Sequence, residues 1–210
     1  GLLFANRSIK NALSLQQQAA ELQKENNAAR YTALQSQLNP HFLFNSLNTL
    51  IAEIEYNPSN AVRFTRNLSD VYRYVLQSQD KTLITLGEEL EFIKSYLFLH
   101  EVRLGDCITC NVTIPPETMD YQLPPLTLQL LVEKVIKHNS IIANKPMEIN
   151  MCVNVRFLIV SNPIHAKKND TTSGVGLQNL SNRCKLMIGI DISITNSNQV
   201  FTVKVPLIHE

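Results

Sequence analysis

The stretch Gln35-Ser36-Gln37-Leu38-Asn39-Pro40-His41-Phe42-Leu43-Phe44-Asn45-Ser46-Leu47-Asn48-Thr49-Leu50 places a histidine directly after a proline, at the start of a helical pattern. Leu43, Leu47, Leu50 and Ile54 recur at three- and four-residue steps, which makes one apolar helix face. His41, Asn45 and Asn48 follow the same steps on a polar face. A helix in a bundle buries the first face and leaves the second reachable. A reachable imidazole on a rigid helix serves as nucleophile, base or metal ligand; the plainer reading is a surface or capping histidine. The rest of the chain has to decide between these.

Upstream, residues from about Asn6 to Leu38 contain no Pro or Gly and are rich in Ala, Leu, Gln, Glu and Lys, a composition that favours helix. With Leu15, Leu22 and Ala29 at one heptad position, Ala12, Ala19, Asn26 and Ala33 fall at the other. Such a thin seam of small residues with one amide predicts a weak two-stranded coiled coil, the alternative being a single solvated helix. The chain opens on Leu2-Leu3-Phe4-Ala5, then turns polar with Arg7 and Lys10. That is either the stub of a membrane span with basic residues on its cytoplasmic side or an ordinary helix start. Pro40 cannot donate to a helical ladder, so it restarts the helix, with Asn39 suited as its cap.

Downstream, Asn57-Pro58-Ser59 is a turn signal, and a second helix is expected from about Ser59 to Gln79, with Val62, Leu68, Val71, Tyr72 and Val75 on its apolar side. Two copies of this helical pair would bury their stripes as a four-helix bundle. Thr85 and Glu88 have the spacing of a capping box and open a third helix that reads Leu90, Ile93, Tyr96 and Leu97 and stops at Gly105. From Asp106 the period changes: Ile108, Cys110, Val112 and Ile114 alternate with polar residues, as in a half-buried strand. Strands are also expected over Met147 to Asn154, Arg156 to Ser161, Ile190 to Thr195 and Val200 to Pro206, and helices over Leu126 to His138 and Leu177 to Ile188, with a polar loop from Pro163 to Ser173. Strands from separated stretches covered on one side by helices make a two-layer α/β domain.

The 210 residues, 44% hydrophobic, can fill one large core or two small ones. A net charge of +1 with no basic block argues against direct binding to nucleic acid. Cys107-Ile-Thr-Cys110 is formally a C-x-x-C, but no second pair with metal spacing accompanies it, so no metal site is assigned and the four cysteines read as reduced thiols.

Three pieces of the second half converge on phosphate chemistry. Lys134, Lys137 and His138 share one helix face with Glu133 beside them, suited either to holding a polyphosphate or to meeting solvent. Asn162, in Ser161-Asn162-Pro163 at a strand's end, can read an adenine edge or simply make a turn. Gly174-Val175-Gly176 opens a helix, where free N–H groups attract anions.

Taken in order, Gln-Leu-Asn-Pro-His-Phe-Leu-Phe-Asn from Gln37, Leu-Val-Glu-x-x-Ile-Lys-His from Leu131 and Gly-Val-Gly-Leu-x-Asn from Gly174 resemble the LytS-like branch of sensor histidine kinases. The resemblance covers roughly Arg30 to Leu207. It implies an α+β chain: an N-terminal coiled-coil or helical dimerisation bundle, then a two-layer α/β sandwich of GHKL (Bergerat) type. The division it implies is 1–29 as a signalling helix after a membrane span, 30–104 as dimerisation and phosphoacceptor helices, and 105–210 as the ATP-binding domain. His41 matches the phosphoacceptor. Glu133, Lys137, His138 and Asn162 match nucleotide-pocket positions, and Gly174 and Gly176 match the phosphate-side loop. Implied with these are ATP and magnesium, a homodimer, a bacterial response regulator, often of LytTR type, and a cytoplasmic location below a membrane anchor. Physical reasoning adds Asn45, one helical turn past His41, as the group that orients the ring.

Two positions depart from the family. Lys134 stands where the resemblance implies an asparagine that binds magnesium; an ammonium has no lone pair to offer a metal and repels one. Asn162-Pro163-Ile164 stands where an Asp-x-Gly is implied. Lys134 therefore either replaces the metal's charge, as a nucleotide contact, or abolishes productive ATP binding. The two outcomes are an active kinase and a dimeric signalling scaffold.

Overall fold

The computed structural model describes residue 7 and residues 9–24, 39–165 and 174–209. The proposed membrane stub at Leu2 to Ala5, the heptad residues Asn26, Ala29 and Ala33, and most of the polar loop before Gly174 lie outside them. Contacts divide the chain into two compact units, Gly1–Asn45 and Ser46–Glu210.

In the first unit, residues 9–24 form helix α1. Its Leu15 and Leu22 are both 65% exposed, and Ala12 and Ala19 are exposed as well, so the described part of the small-residue seam is open to solvent. Helix α2 (Pro40–Tyr56) begins after Asn39, whose side-chain oxygen accepts from the Phe42 N–H at 3.3 Å, the capping role expected of it.

The second unit continues along α2. The apolar face read there is not buried: Leu47 and Ile54 are 41% and 57% exposed, Ile51 is 57% exposed, and Ser46 alone is buried. Periodicity identified the face, and among the described residues it is covered only in part, at the half-buried Leu43 and Leu50.

Helix α3 (Pro58–Ser78) starts at Asn57, whose side chain accepts from the Asn60 N–H. Its buried stripe is Ala61, Phe64, Leu68, Val71 and Val75, so Phe64 takes the place assigned to Val62, which is 55% exposed. The stripe packs chiefly on α4 (Leu86–Leu104). There the capping box is complete: Thr85 Oγ1 accepts from the Glu88 N–H at 3.2 Å, and Glu88 Oε2 accepts from the Thr85 N–H at 3.1 Å. We expect Thr85→Ala to lower unfolding stability by about 1 kcal/mol, measured by urea titration. Gly105, at φ 73°, ends the helix in a conformation that favours glycine.

Beyond it lies a five-stranded sheet in the order β2-β4-β5-β7-β6. The strands are β2 (Ile108–Thr113), β4 (Met147–Asn154), β5 (Phe157–Pro163), β6 (Ser193–Ser197) and β7 (Val200–Pro206). β2 and β4 are parallel, joined across helix α5 (Thr127–His138); every other pair is antiparallel. β6 starts three residues later than the apolar Ile190 suggested. A separate two-stranded ladder pairs β1 (Ile84–Thr85) with β3 (Gln122–Leu123); its strands are too short to show a period.

One face of the sheet buries Met147, Ile149 and Met151 of β4, Leu158 and Val160 of β5, and Val203 and Val205 of β7. Against them stand Leu128, Leu131, Val132 and Val135 of α5, and Leu177, Leu180 and Cys184 of α6 (Val175–Ile188). This second layer is the predicted α/β sandwich, and at about 1.5–3 kcal/mol per buried large side chain it is the main source of stability in the unit.

The start of α5 is unusual. Leu126 precedes it at φ 63°, a left-handed conformation that costs a non-glycine residue roughly 1–2 kcal/mol. Its own side chain provides no cap. The acceptor comes instead from Glu89 of α4, fully buried, whose two oxygens take the N–H groups of Leu126 (2.7 Å) and Leu128 (2.9 Å). The Tyr74 hydroxyl of α3 donates to the same carboxylate. Burial pushes the Glu89 carboxyl above the usual range, against the pull of these donors. Burial and the adjoining Glu89 charge push the Tyr74 phenol up as well, so it remains a donor.

Candidate functional site

The inward side chains of α5 fix the direction of its other face. With Leu128, Leu131, Val132 and Val135 against the sheet, Leu130, Glu133, Lys134, Lys137 and His138 follow steps of three and four on the opposite side. These five residues, with Gly176 and Leu177 at the start of α6, line one cleft of about 150 Å³. The structure thus joins the charged helix to the glycine segment. The neighbouring cation Lys137 draws the Glu133 carboxyl down, but burial outweighs it and leaves the group above its ordinary value.

Gly176 shapes this cleft by lacking a side chain. A Cβ there would stand 2.8 Å from Leu130 Cδ1, whereas one at Gly174 would meet nothing within 4 Å. The close approach that glycine permits is therefore used between α6 and α5. Gly174 is the N-cap of α6, where no side chain caps the first turn. The cleft accordingly faces a helix N-terminus on one wall and two lysines on the other, a donor set suited to phosphate oxygens.

Asn162 lies elsewhere. It is 3% exposed on the inward face of β5, and its Nδ2 donates to the Pro163 carbonyl at 2.7 Å. It is not among the residues that line the cleft. The end of α5 is fastened by Asn139, whose Oδ1 accepts from the His165 N–H at 2.8 Å.

In the first unit, His41 is exposed and lies on the first turn of α2. Asn45 Nδ2 is 3.3 Å from His41 Nδ1 and 3.5 Å from Nε2. The amide one turn on is thus nearly equidistant from the two ring nitrogens, which places it against the face of the ring.

Glu89, Tyr74 and Arg183 did not stand out in the sequence. Arg183 Nη1 donates to the Pro125 carbonyl at 2.9 Å, next to the carboxylate that caps α5. Glu89 stands three and four positions before Phe92 and Ile93, on the same face of α4, but a carboxylate reads as a solvent-facing group by its charge, and only its buried position reveals its use.

No group of three or more His, Cys, Asp or Glu side chains among the described residues could hold a metal ion. Lys134 stands inside the cleft. The two lysines suit a polyphosphate, and the Lys134 ammonium has no lone pair to offer a magnesium ion. The volume is below the roughly 300–1,000 Å³ of small-molecule pockets.

Comparison with known proteins supplies the rest. Residues 29–108 match the family model described as histidine kinase. The chain is 31% identical over 194 residues to sensor histidine kinase YpdA of Escherichia coli (strain K12), covering 84% of this chain and 34% of the relative. It is 30% identical over 200 residues to sensor histidine kinase/phosphatase LytS of Staphylococcus aureus (strain N315), covering 85% of this chain and 34% of the relative. The chain therefore spans about a third of the length of the curated relatives it matches. The cytoplasmic segment of histidine kinase QseC aligns over 61% of this chain and 78% of its own, at 17% identity with a TM-score of 0.43.

Proposed function

The chain belongs to the LytS-like sensor histidine kinases of two-component systems, with the α+β, GHKL-type fold class of that family, and from that premise we propose that it phosphorylates His41 with ATP and passes the phosphoryl group to an aspartate of a response regulator. The observation that carries this reading is the assembly of Glu133, Lys134, Lys137, His138 and Gly176 around one cleft, on a chain that also presents an exposed histidine at a helix start.

The chemistry asks little of the protein beyond position and charge. An imidazole attacks through a nitrogen that carries a lone pair. A side-chain amide can turn either its oxygen or its nitrogen toward a neighbour. With the Asn45 oxygen toward Nδ1–H, the proton is held there and Nε2 is the nucleophile. Nε2 then bonds to the γ-phosphorus as the bond to the bridging oxygen breaks, and ADP leaves with the electron pair. Lys134 and Lys137 offset the negative charge of the phosphates, and the uncapped first turn of α6 after Gly174 adds N–H donors. Glu133 is assigned the acid–base role at the reacting end, with His138 as a further nucleotide contact. Asn162 is proposed as a further nucleotide contact, on the buried face of β5 and outside the residues that line this cleft.

The functional division is proposed as 1–29 for signalling, 30–104 for dimerisation and phosphoacceptance, and 105–210 for nucleotide binding. The uncovered side chains Leu47, Ile51 and Ile54 support pairing of two copies. A membrane anchor outside these residues, a cytoplasmic location and a LytTR-type regulator belong to the same reading; none of the described helices is long and apolar enough to cross a membrane.

A second reading rests on Lys134 in the cleft, an ammonium with no lone pair to offer a metal. In it the protein is a dimeric scaffold with impaired binding of magnesium-ATP. Calorimetry with ATP, with and without magnesium, separates the two. We expect binding by the wild type that weakens about tenfold in Lys134→Ala, the scale of one charge-assisted contact. Absence of binding, or tighter binding in Lys134→Asn, supports the scaffold and makes the lysine inhibitory.

A further inference from the structure

Both walls of the cleft are fastened at one buried carboxylate that does not line it. Glu89, fully buried on α4, accepts from the N–H groups of Leu126 and Leu128, the first residues of the α5 wall. On the α6 wall, Arg183 donates to the Pro125 carbonyl, one residue before this cap, and its charge attracts Glu89. The third donor to Glu89 is the Tyr74 hydroxyl, which arrives from α3. The Tyr74 ring is independently seated, stacked on Phe92 with centroids 4.3 Å apart. Four helices thus meet over the four residues from Pro125 to Leu128.

We infer that Glu89 is a positioning residue for the cleft, and that Tyr74 ties the place where α5 starts to the helical hairpin of α3 and α4. This rests on the cleft being the phosphate site proposed above. The physical argument is one of rigidity. A buried helix N-terminus needs an acceptor for its N–H groups, and here no local side chain provides one. Leu126 stays in its left-handed conformation while its N–H has the carboxylate to donate to. Losing that acceptor frees the first turn, and a tilt there is carried along the helix to Lys134 and Lys137, roughly 9–14 Å further on at 1.5 Å per residue. Tyr74 controls the acceptor from outside. Its hydroxyl offsets the cost of keeping a buried carboxylate charged, so a displacement of α3 that withdraws it weakens the grip on α5. A change in the hairpin thereby reaches the cleft without touching any residue that lines it.

A cap that served stability alone would loosen the whole unit evenly when removed. Tyr74→Phe separates the cases, because it deletes only the hydroxyl and keeps the stack on Phe92. Amide hydrogen exchange and ATP calorimetry are to be run on the wild type, Tyr74→Phe and Glu89→Gln. We expect amides of residues 126–138 to exchange about tenfold faster in Tyr74→Phe, the scale of one lost hydrogen bond to a charged group. Those of β4 and β5 should keep their wild-type rates, and ATP affinity should fall several-fold. Glu89→Gln, which keeps one acceptor oxygen, should change the same amides further; if it fails to fold, Tyr74→Phe still decides. Unchanged exchange over 126–138, an equal increase in every element, or unchanged affinity in a chain that binds ATP overturns the inference. Should the wild type bind no ATP, the phosphate reading falls by itself, and the exchange of α5 still tests whether Tyr74 and Glu89 hold it.

Discussion

Incubated with ATP labelled at the γ-phosphate, the wild-type chain takes up acid-labile label, and His41→Gln takes up none. The expected effect is complete because the reading makes the His41 ring the one acceptor. A glutamine amide fills much of the same space but has no nucleophilic ring nitrogen, so the fold persists while the acceptor is gone. Acid lability separates a phosphorus–nitrogen bond from the ester that serine or threonine would form. The exposed position of His41 on the first turn of α2 allows this chemistry. Equal labelling of wild type and His41→Gln would mean that another residue is the acceptor. Labelling of neither, with ATP bound, would leave the chain a nucleotide-binding scaffold.

Phe64→Ala is expected to cost about 3–5 kcal/mol, a large share of the roughly 5–15 kcal/mol that holds a domain together. Phe64 is 1% exposed on α3, in the stripe that packs on α4. Truncation there leaves a cavity between two helices whose backbones cannot close it. The urea midpoint should fall with an unchanged slope. Because Glu89 joins α4 to the start of α5, and Tyr74 joins α3 to Glu89, we expect α3 and the sheet to lose protection in one transition. A loss confined to α3 and α4, with β4 and β5 still protected, would show that the hairpin folds separately from residues 105–210.

The elements that were legible in the sequence are those whose signal lies within one element. Thr85 and Glu88 are three residues apart, and their capping box formed as read. Asn39 capped α2. Leu128, Leu131, Val132 and Val135 turned inward, which turned Glu133, Lys134, Lys137 and His138 outward together. The strands expected over Met147 to Asn154 and Arg156 to Ser161 formed as β4 and β5. Asn162 shows what that kind of reading leaves open: its residue type suggests a nucleotide contact, and only the ladder places its side chain on the buried face of β5.

By itself, then, the sequence determined the helices, most of the strands, the histidine segment and the charged face of α5, because each is written in spacings of two to four residues. Only the tertiary structure decided that Glu89 is an interior cap, that Leu126 takes a left-handed turn, and that Gly176 makes room for Leu130. The partners of Glu89 on α5 lie 37 and 39 residues along the chain. No local period encodes a contact at that separation; packing of the helices against the sheet creates it. The uncovered face of α2 follows the same rule, since periodicity says which side of a helix is apolar and only the assembled fold says what covers it.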